Sequence, residues 1–440
     1  MSAGRAARED GEERSGSAAG SGRGARWSVP VLAVGIVLVA LILRPGATST
    51  GPVLEEIRSG LGLGSTGAAL LASLPGACFA VAGAVAARLG HRMGAAGGLV
   101  IGGVLAGAGM TARAVTGSGS WFLALSALAL VGAGLGNVLL PMAIKERFPT
   151  NPGAWTAVYV TVLSVGAVLP QLLAPTVIEA GGSWRTTLAV WGPVGILAAV
   201  PWLVLALVRR RAALLAGPRA RRRPAEDRDR TPSPPEGGAA RTIGLREIAR
   251  SPRARAMALF FGLQSMQAYV IFGWFAQILR DAGLGLATAS HLLAAFSAWG
   301  LLGGLIIPAL VARSRHLRAW VVLFAGLLVL GFGGLLLAPR TVSWLWPCAL
   351  GISGFCFQVA LVLVTARTRD YRVTAALSGF TQAIGYTLAS AGPFVVGWVH
   401  ALSGGWTVPL VLLIASAVPM GWAGWHACAP GMVDDELPAR

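Results

Sequence analysis

Apolar runs of about twenty residues recur along almost the whole chain, each long enough to cross a hydrocarbon core as a helix. In lipid every backbone N–H and C=O needs an internal partner, so runs like these become helices that pack against one another. Composition agrees. Of 440 residues, 55% are hydrophobic and 12% charged, against roughly 25% charged in a soluble globular domain. The runs fall at about 28–50, 66–88, 94–114, 121–144, 154–176, 184–208, 254–279, 287–311, 318–338, 342–365, 375–399 and 405–427. They predict an all-α polytopic membrane protein with twelve transmembrane helices, and the short loops make successive helices antiparallel neighbours.

A net charge of +18 in a soluble protein would suggest a nucleic-acid partner. Here the arginines collect in alternate loops: thirty of the thirty-six Lys and Arg fall on one side of the predicted membrane. The positive-inside rule then predicts a multi-pass plasma-membrane protein with both termini cytoplasmic and no nucleic-acid partner. Trp27, Trp121, Trp184, Trp320, Trp344 and Trp406 lie near span ends, where an indole is half wet. Cys78, Cys348, Cys356 and Cys428 show no CxxC spacing and read as small packing residues. No metal or cofactor is expected.

Residues 1–26, rich in Gly, Ser, Ala and Arg, read as a disordered cytoplasmic tail. An N-terminal bundle is expected over 27–208, a basic cytoplasmic linker over 209–252, a C-terminal bundle over 253–429 and a tail over 430–440. The linker contains Arg221-Arg222-Arg223 and Pro232-Ser233-Pro234-Pro235 and lacks apolar periodicity. It splits the spans six and six, and a repeat follows the split. Phe148-Pro149 through Tyr159 to Pro170 matches Tyr371-Arg372 through Gln382 to Pro393 at an offset of 223. Two pseudo-symmetric six-helix bundles, related by an axis along the membrane normal, fit that pattern.

Arg44 is the only charge between Val31 and Leu54. None of the eighteen Asp and Glu lies mid-span, so Arg44 has no internal counter-ion in sequence. A lone cation in low dielectric is costly, and a bound anion would relieve that cost. Two placements remain open: the guanidinium faces a cavity, or it snorkels to the outer interface. Arg113, one turn from an outer end, is expected to snorkel. Asn137, Gln264, Gln267, Gln358, Gln382 and Tyr386 lie within spans, as do Tyr269 and Ser297, and serve either a ligand or a neighbouring helix. His291 and His400, near outer ends, are proton-switch candidates.

Several strings resemble one family. Arg44-Pro45 with Thr48-Ser49-Thr50-Gly51-Pro52, Leu74-Pro75, and Gly136-Asn137-Val138-Leu139-Leu140-Pro141 with Lys145 are three of them. Phe261-Gly262-Leu263-Gln264-Ser265 and Gln382-Ala383-Ile384-Gly385-Tyr386 with Gly392-Pro393 are two more. Together they resemble the cyanate-transporter-like (CynX/NimT) branch of the major facilitator superfamily. The resemblance implies the major facilitator fold and a monomeric carrier of small anions or polar solutes, working by alternating access with Arg44 in the cavity. One departure stands out: Ala87 occupies the position of the superfamily's inner-loop Asp, while Arg88, Gly90 and Arg92 remain. The rival expectations are an efflux carrier for neutral drug-like compounds and a membrane enzyme. The second lacks the clustered Asp, Glu or His such chemistry needs.

Overall fold

The structure, a computed structural model, describes residues 30–215 and 244–437. The expected tail at 1–26 and the middle of the linker lie outside the described residues. All twelve spans are helices, and no strand occurs among the described residues. Eleven are long and apolar enough to cross a bilayer by length and composition. The remaining one, the eleventh span Tyr371–Ser403, has 33 residues but carries Ser378, Thr381, Gln382, Tyr386, Thr387 and Ser390. Spans one to six form one bundle and seven to twelve the other. The second span packs on the eleventh and the fifth on the eighth, across the seam between the halves. Leu197, Leu305 and Val418 point outward at 55%, 63% and 74% exposure, as lipid-facing side chains do.

The first span, read from the sequence at about 28–50, is not one continuous helix. Pro45 has no N–H to offer the turn before it, and its ring crowds that turn's carbonyl. The helix over 30–42 therefore stops, the chain turns at Leu43 and Arg44, and one helical turn resumes over Pro45–Thr48. Hydroxyls satisfy part of the broken ladder: Thr48 Oγ1 donates to the Arg44 carbonyl at 3.1 Å and Thr50 Oγ1 to the Ala47 carbonyl at 3.3 Å. A short amphipathic helix, Leu54–Leu61, follows with Leu54 and Ile57 buried. It marks one face of the molecule, called here the helix face.

The opposite face carries the folded-back segment after the twelfth span and is called the tail face. The residues from 430, expected to form a tail, fold back through 437 onto the helix starts. Asp434 accepts from the backbone N–H groups of Arg369 and Asp370, both at 3.0 Å, at the start of the eleventh span. Asp435 takes two bonds from the Arg369 guanidinium, at 2.7 and 3.3 Å. Glu436 accepts from Ser251 Oγ at 2.5 Å and from Arg253 N and Nε at 3.1 Å, at the start of the seventh span. Helix N-termini favour anions, and here each of two receives one. Val433 is fully buried beneath this clasp. Arg367 donates to the Cys428 carbonyl at 3.1 Å, and burial pushes the Cys428 thiol up to about 11.

The helix of the sixth span runs on to Leu215, and a turn at Leu245–Ile248 buries Ile248 before Ser251 caps the seventh span.

Glu436 and Arg253 have side chains 25% and 12% exposed, so their bonds are only partly screened. Glu436→Gln is expected to cost about 1 kcal/mol or more, read as a lower melting temperature in detergent. Exposed Glu179→Gln, the control, should leave it unchanged, and equal melting of the two variants would contradict the clasp.

Candidate functional site

The break in the first span decides where Arg44 points. Arg44 sits at that turn, half-buried between the spans. There its charge acts on three phenols: Tyr159 of the fifth span, Tyr269 of the seventh and Tyr386 of the eleventh. The chain has four tyrosines in all, and three of the four lie within reach of this one charge. Among the described residues, no ion pair includes Arg44. The residue is half-buried, between the fully packed core and open water.

Aromatic rings wall the cluster. Phe79 meets Tyr269 and Tyr386 edge-on, with centroids 6.4 and 6.5 Å apart, and Phe261 meets Tyr386 at 5.9 Å. Phe79 comes from the first half and the tyrosines it meets from the second, so this small core belongs to both. Phe261 also lines a cavity of about 450 Å³ with Thr365, Thr374, Ser378, Thr381 and Gln382. That cavity lies in the tail-side part of the seventh, tenth and eleventh spans.

The candidate amides separate into two groups. Asn137 Oδ1 accepts from the Tyr159 hydroxyl at 3.0 Å, which ties it to the Arg44 cluster. Gln382 donates to Ser378 Oγ at 2.8 Å on the cavity wall, one turn from Tyr386. Gln267 is fully buried and donates to Ser416 of the twelfth span at 2.9 Å. Gln358 donates to the Gly300 carbonyl of the eighth span at 3.4 Å. Those two join helices of one bundle. Gln264 is 3% exposed, and its Oε1 has no partner among the described residues. His291 is exposed, and His400 stacks on Trp406 with centroids 3.9 Å apart.

Arg113 corrects an expectation. It does not snorkel but is 0% exposed, donating to the Gly46 carbonyl at 3.2 Å and to Ser49 Oγ at 2.9 Å. The cause is the broken span: past its single turn the first helix presents a carbonyl with no N–H above it, and the guanidinium of the third span fills that role. Arg113 thus holds the segment that aims Arg44. Two further residues were not singled out in the sequence. Tyr159 appears there only as part of the repeat. Gln171, fully buried, accepts from Ser297 Oγ at 3.0 Å across the seam between fifth and eighth spans.

Twelve helices in two bundles, with a polar cluster at the seam, define a membrane carrier. Residues 36–393 match the family model described as Major Facilitator Superfamily, and the chain belongs to that family. It is a transporter, not an enzyme. The chain is 33% identical over 403 residues to the Bacillus subtilis protein described as uncharacterized transporter YycB, covering 90% of this chain and 93% of that one. It is 30% identical to the 2-nitroimidazole transporter of Escherichia coli (87% and 91% covered). With the cyanate transport protein CynX of Escherichia coli the identity is 25% (90% and 94% covered). These relatives support the CynX/NimT-like branch. A D-xylose–proton symporter crystal structure superposes with a TM-score of 0.65 at 14% identity, over 89% of this chain and 97% of that one, showing the shared fold.

Arg113→Met should leave the Gly46 carbonyl and Ser49 hydroxyl unpaired in the interior. The expected loss is about 1–3 kcal/mol, seen as a lower melting temperature, with Arg113→Lys losing less because one donor remains. Melting unchanged by Arg113→Met would contradict the anchoring role.

Proposed function

We propose that the protein is a secondary carrier for a small anion or small polar solute, of the cyanate and nitroimidazole class, working by alternating access in the plasma membrane. The observation that carries this reading is the Arg44 guanidinium at the seam, with three phenols within reach of its charge and no ion-pair partner among the described residues. An anion arriving there replaces lost hydration of the cation, and planar solutes present two oxygens or nitrogens to the guanidinium fork. Cationic solutes gain nothing at such a site.

The two halves contribute unlike parts. Arg44, Asn137 and Tyr159 move with the first bundle; Tyr269, Tyr386 and Gln382 move with the second. A solute that touches both sets has different contacts in each arrangement of the bundles, which is what a ligand needs in order to shift a conformational equilibrium. Arrangement of the basic loops supports a cytoplasmic tail face, so the 450 Å³ cavity beside Gln382 would open to the cytoplasm. The carrier acts as a monomer, each chain holding a whole site.

A thermal-shift series on purified protein with cyanate, nitrate and 2-nitroimidazole tests this reading, since a ligand of the folded state stabilises by mass action. At least one of the three is expected to raise the melting temperature of the parent protein, and the rise should vanish in Arg44→Gln. Uptake of that solute into proteoliposomes should fall about tenfold or more in Arg44→Gln, and less in Arg44→Lys. Full uptake by Arg44→Gln would remove Arg44 from the mechanism.

A further inference from the structure

Glu56 and Arg280 lie 224 residues apart in the chain, and their side chains meet at 2.8 Å. Glu56 belongs to the short helix after the first span, Arg280 to the end of the seventh. This ion pair joins the two halves, whereas Arg58–Glu55, Arg253–Glu436 and Arg369–Asp435 each lie within one half. The local chemistry explains why Arg280 reaches across. Its neighbour Asp281 already accepts from Gln277 Nε2 and from Trp406 Nε1, both at 2.7 Å, so both carboxylate oxygens are engaged within the second half. Arg58 is paired with Glu55 at 3.3 Å. Glu56 is left for Arg280.

Beneath the pair the seam is shut by backbone approach. A Cβ on Gly51 would run into the Phe272 carbonyl, and one on Gly76 would lie 2.7 Å from Ser390 N. Ser390 Oγ donates to the Ser73 carbonyl at 3.3 Å, again across the halves. A cavity of about 280 Å³ on this face is lined from both halves, by Arg58 and Ser65 on one side and Trp274, Gly397 and His400 on the other. Trp274 on its wall is only 3% exposed, and the contacts at Gly51, Gly76 and Ser390 form the seal.

We propose that the Glu56–Arg280 pair is an electrostatic latch that holds the helix face closed and has to part before a solute at that face reaches Arg44. The proposal rests on the alternating-access reading given above. Shape contacts along the seam separate in any direction, whereas an ion pair fixes one register of the halves. Its side chains are 27% and 22% exposed, so water is at hand to receive both charges when the pair opens. A pair of that kind biases an equilibrium by roughly two- to five-fold, enough to favour closure without arresting the cycle.

The test uses the full chain with its four cysteines replaced and Ser73→Cys introduced below the latch. Labelling by a membrane-impermeant maleimide is timed from the helix face in proteoliposomes. Glu56→Gln and Arg280→Gln should each raise the labelling rate about two- to five-fold. The double variant should be no faster than either single one, because both remove the same interaction. Raising salt should speed labelling of the parent and leave the variants unchanged. Single variants that label like the parent, or effects that add in the double variant, would overturn the latch. Arg44→Gln separates this from the transport reading. Loss of solute binding in Arg44→Gln with labelling insensitive to Glu56 and Arg280 would sink the latch alone. Solute binding untouched by Arg44→Gln would remove Arg44 from the site and leave the latch standing.

Discussion

Pro45 cannot donate a hydrogen bond, and the interior of the protein is organised around that missing N–H. It ends the first helix at Ile42 and leaves Arg44 at a turn, not on a lipid-facing helical surface. A broken helix inside a membrane has to find partners for its freed backbone groups. Thr48 and Thr50 turn their hydroxyls back on the chain, and Arg113 reaches over from the third span to the Gly46 carbonyl. Both arginines of this region thus owe their positions to one imino acid. Arg113 binds a backbone carbonyl and the Ser49 hydroxyl, and Arg44 has no ion-pair partner among the described residues.

That division gives the seam its chemical character. Buried, partnered groups hold the scaffold: Gln267 with Ser416, Gln358 with Gly300, Gln171 with Ser297. The Arg44 cluster is the place where charge is left uncompensated and where aromatic rings from both halves converge. Because the halves carry different members of the cluster, a solute between them is felt by both. The polar eleventh span belongs to the same design, since Ser378, Thr381 and Gln382 line a cavity where a lipid-facing helix would carry Leu or Val.

Much of this was legible in the sequence, for physical reasons that also mark where legibility stops. Twelve spans and two halves follow from hydropathy and from the repeat at an offset of 223, because bilayer thickness and symmetry act on sequence directly. Arg44-Pro45-Gly46 already announced a weak point in the first helix. The fate of Arg113 did not show, because its partner carbonyl is set free only once the first span has broken in three dimensions. Asp434, Asp435 and Glu436 looked like an ordinary acidic tail, since the helix N-termini that receive them lie 65 and more than 180 residues away. The amides were ambiguous for a related cause: an amide in a membrane helix reads alike whether it meets a ligand or a neighbour, and only side-chain direction separates Gln382 from Gln267. Tyrosine was the overlooked signal. A chain with four tyrosines that places three within spans is spending its phenols in one location.

The central claim is the position of residue 44 inside the seam, open to one side. The direct measurement is the reactivity of Arg44→Cys, in a chain otherwise free of cysteine, toward a membrane-impermeant methanethiosulfonate applied to each face in turn. Modification from the tail face, slowed by whichever solute stabilises the parent protein, is the predicted result. Rapid modification from the helix face with none from the tail face would put the side chain in the headgroup layer and contradict the account.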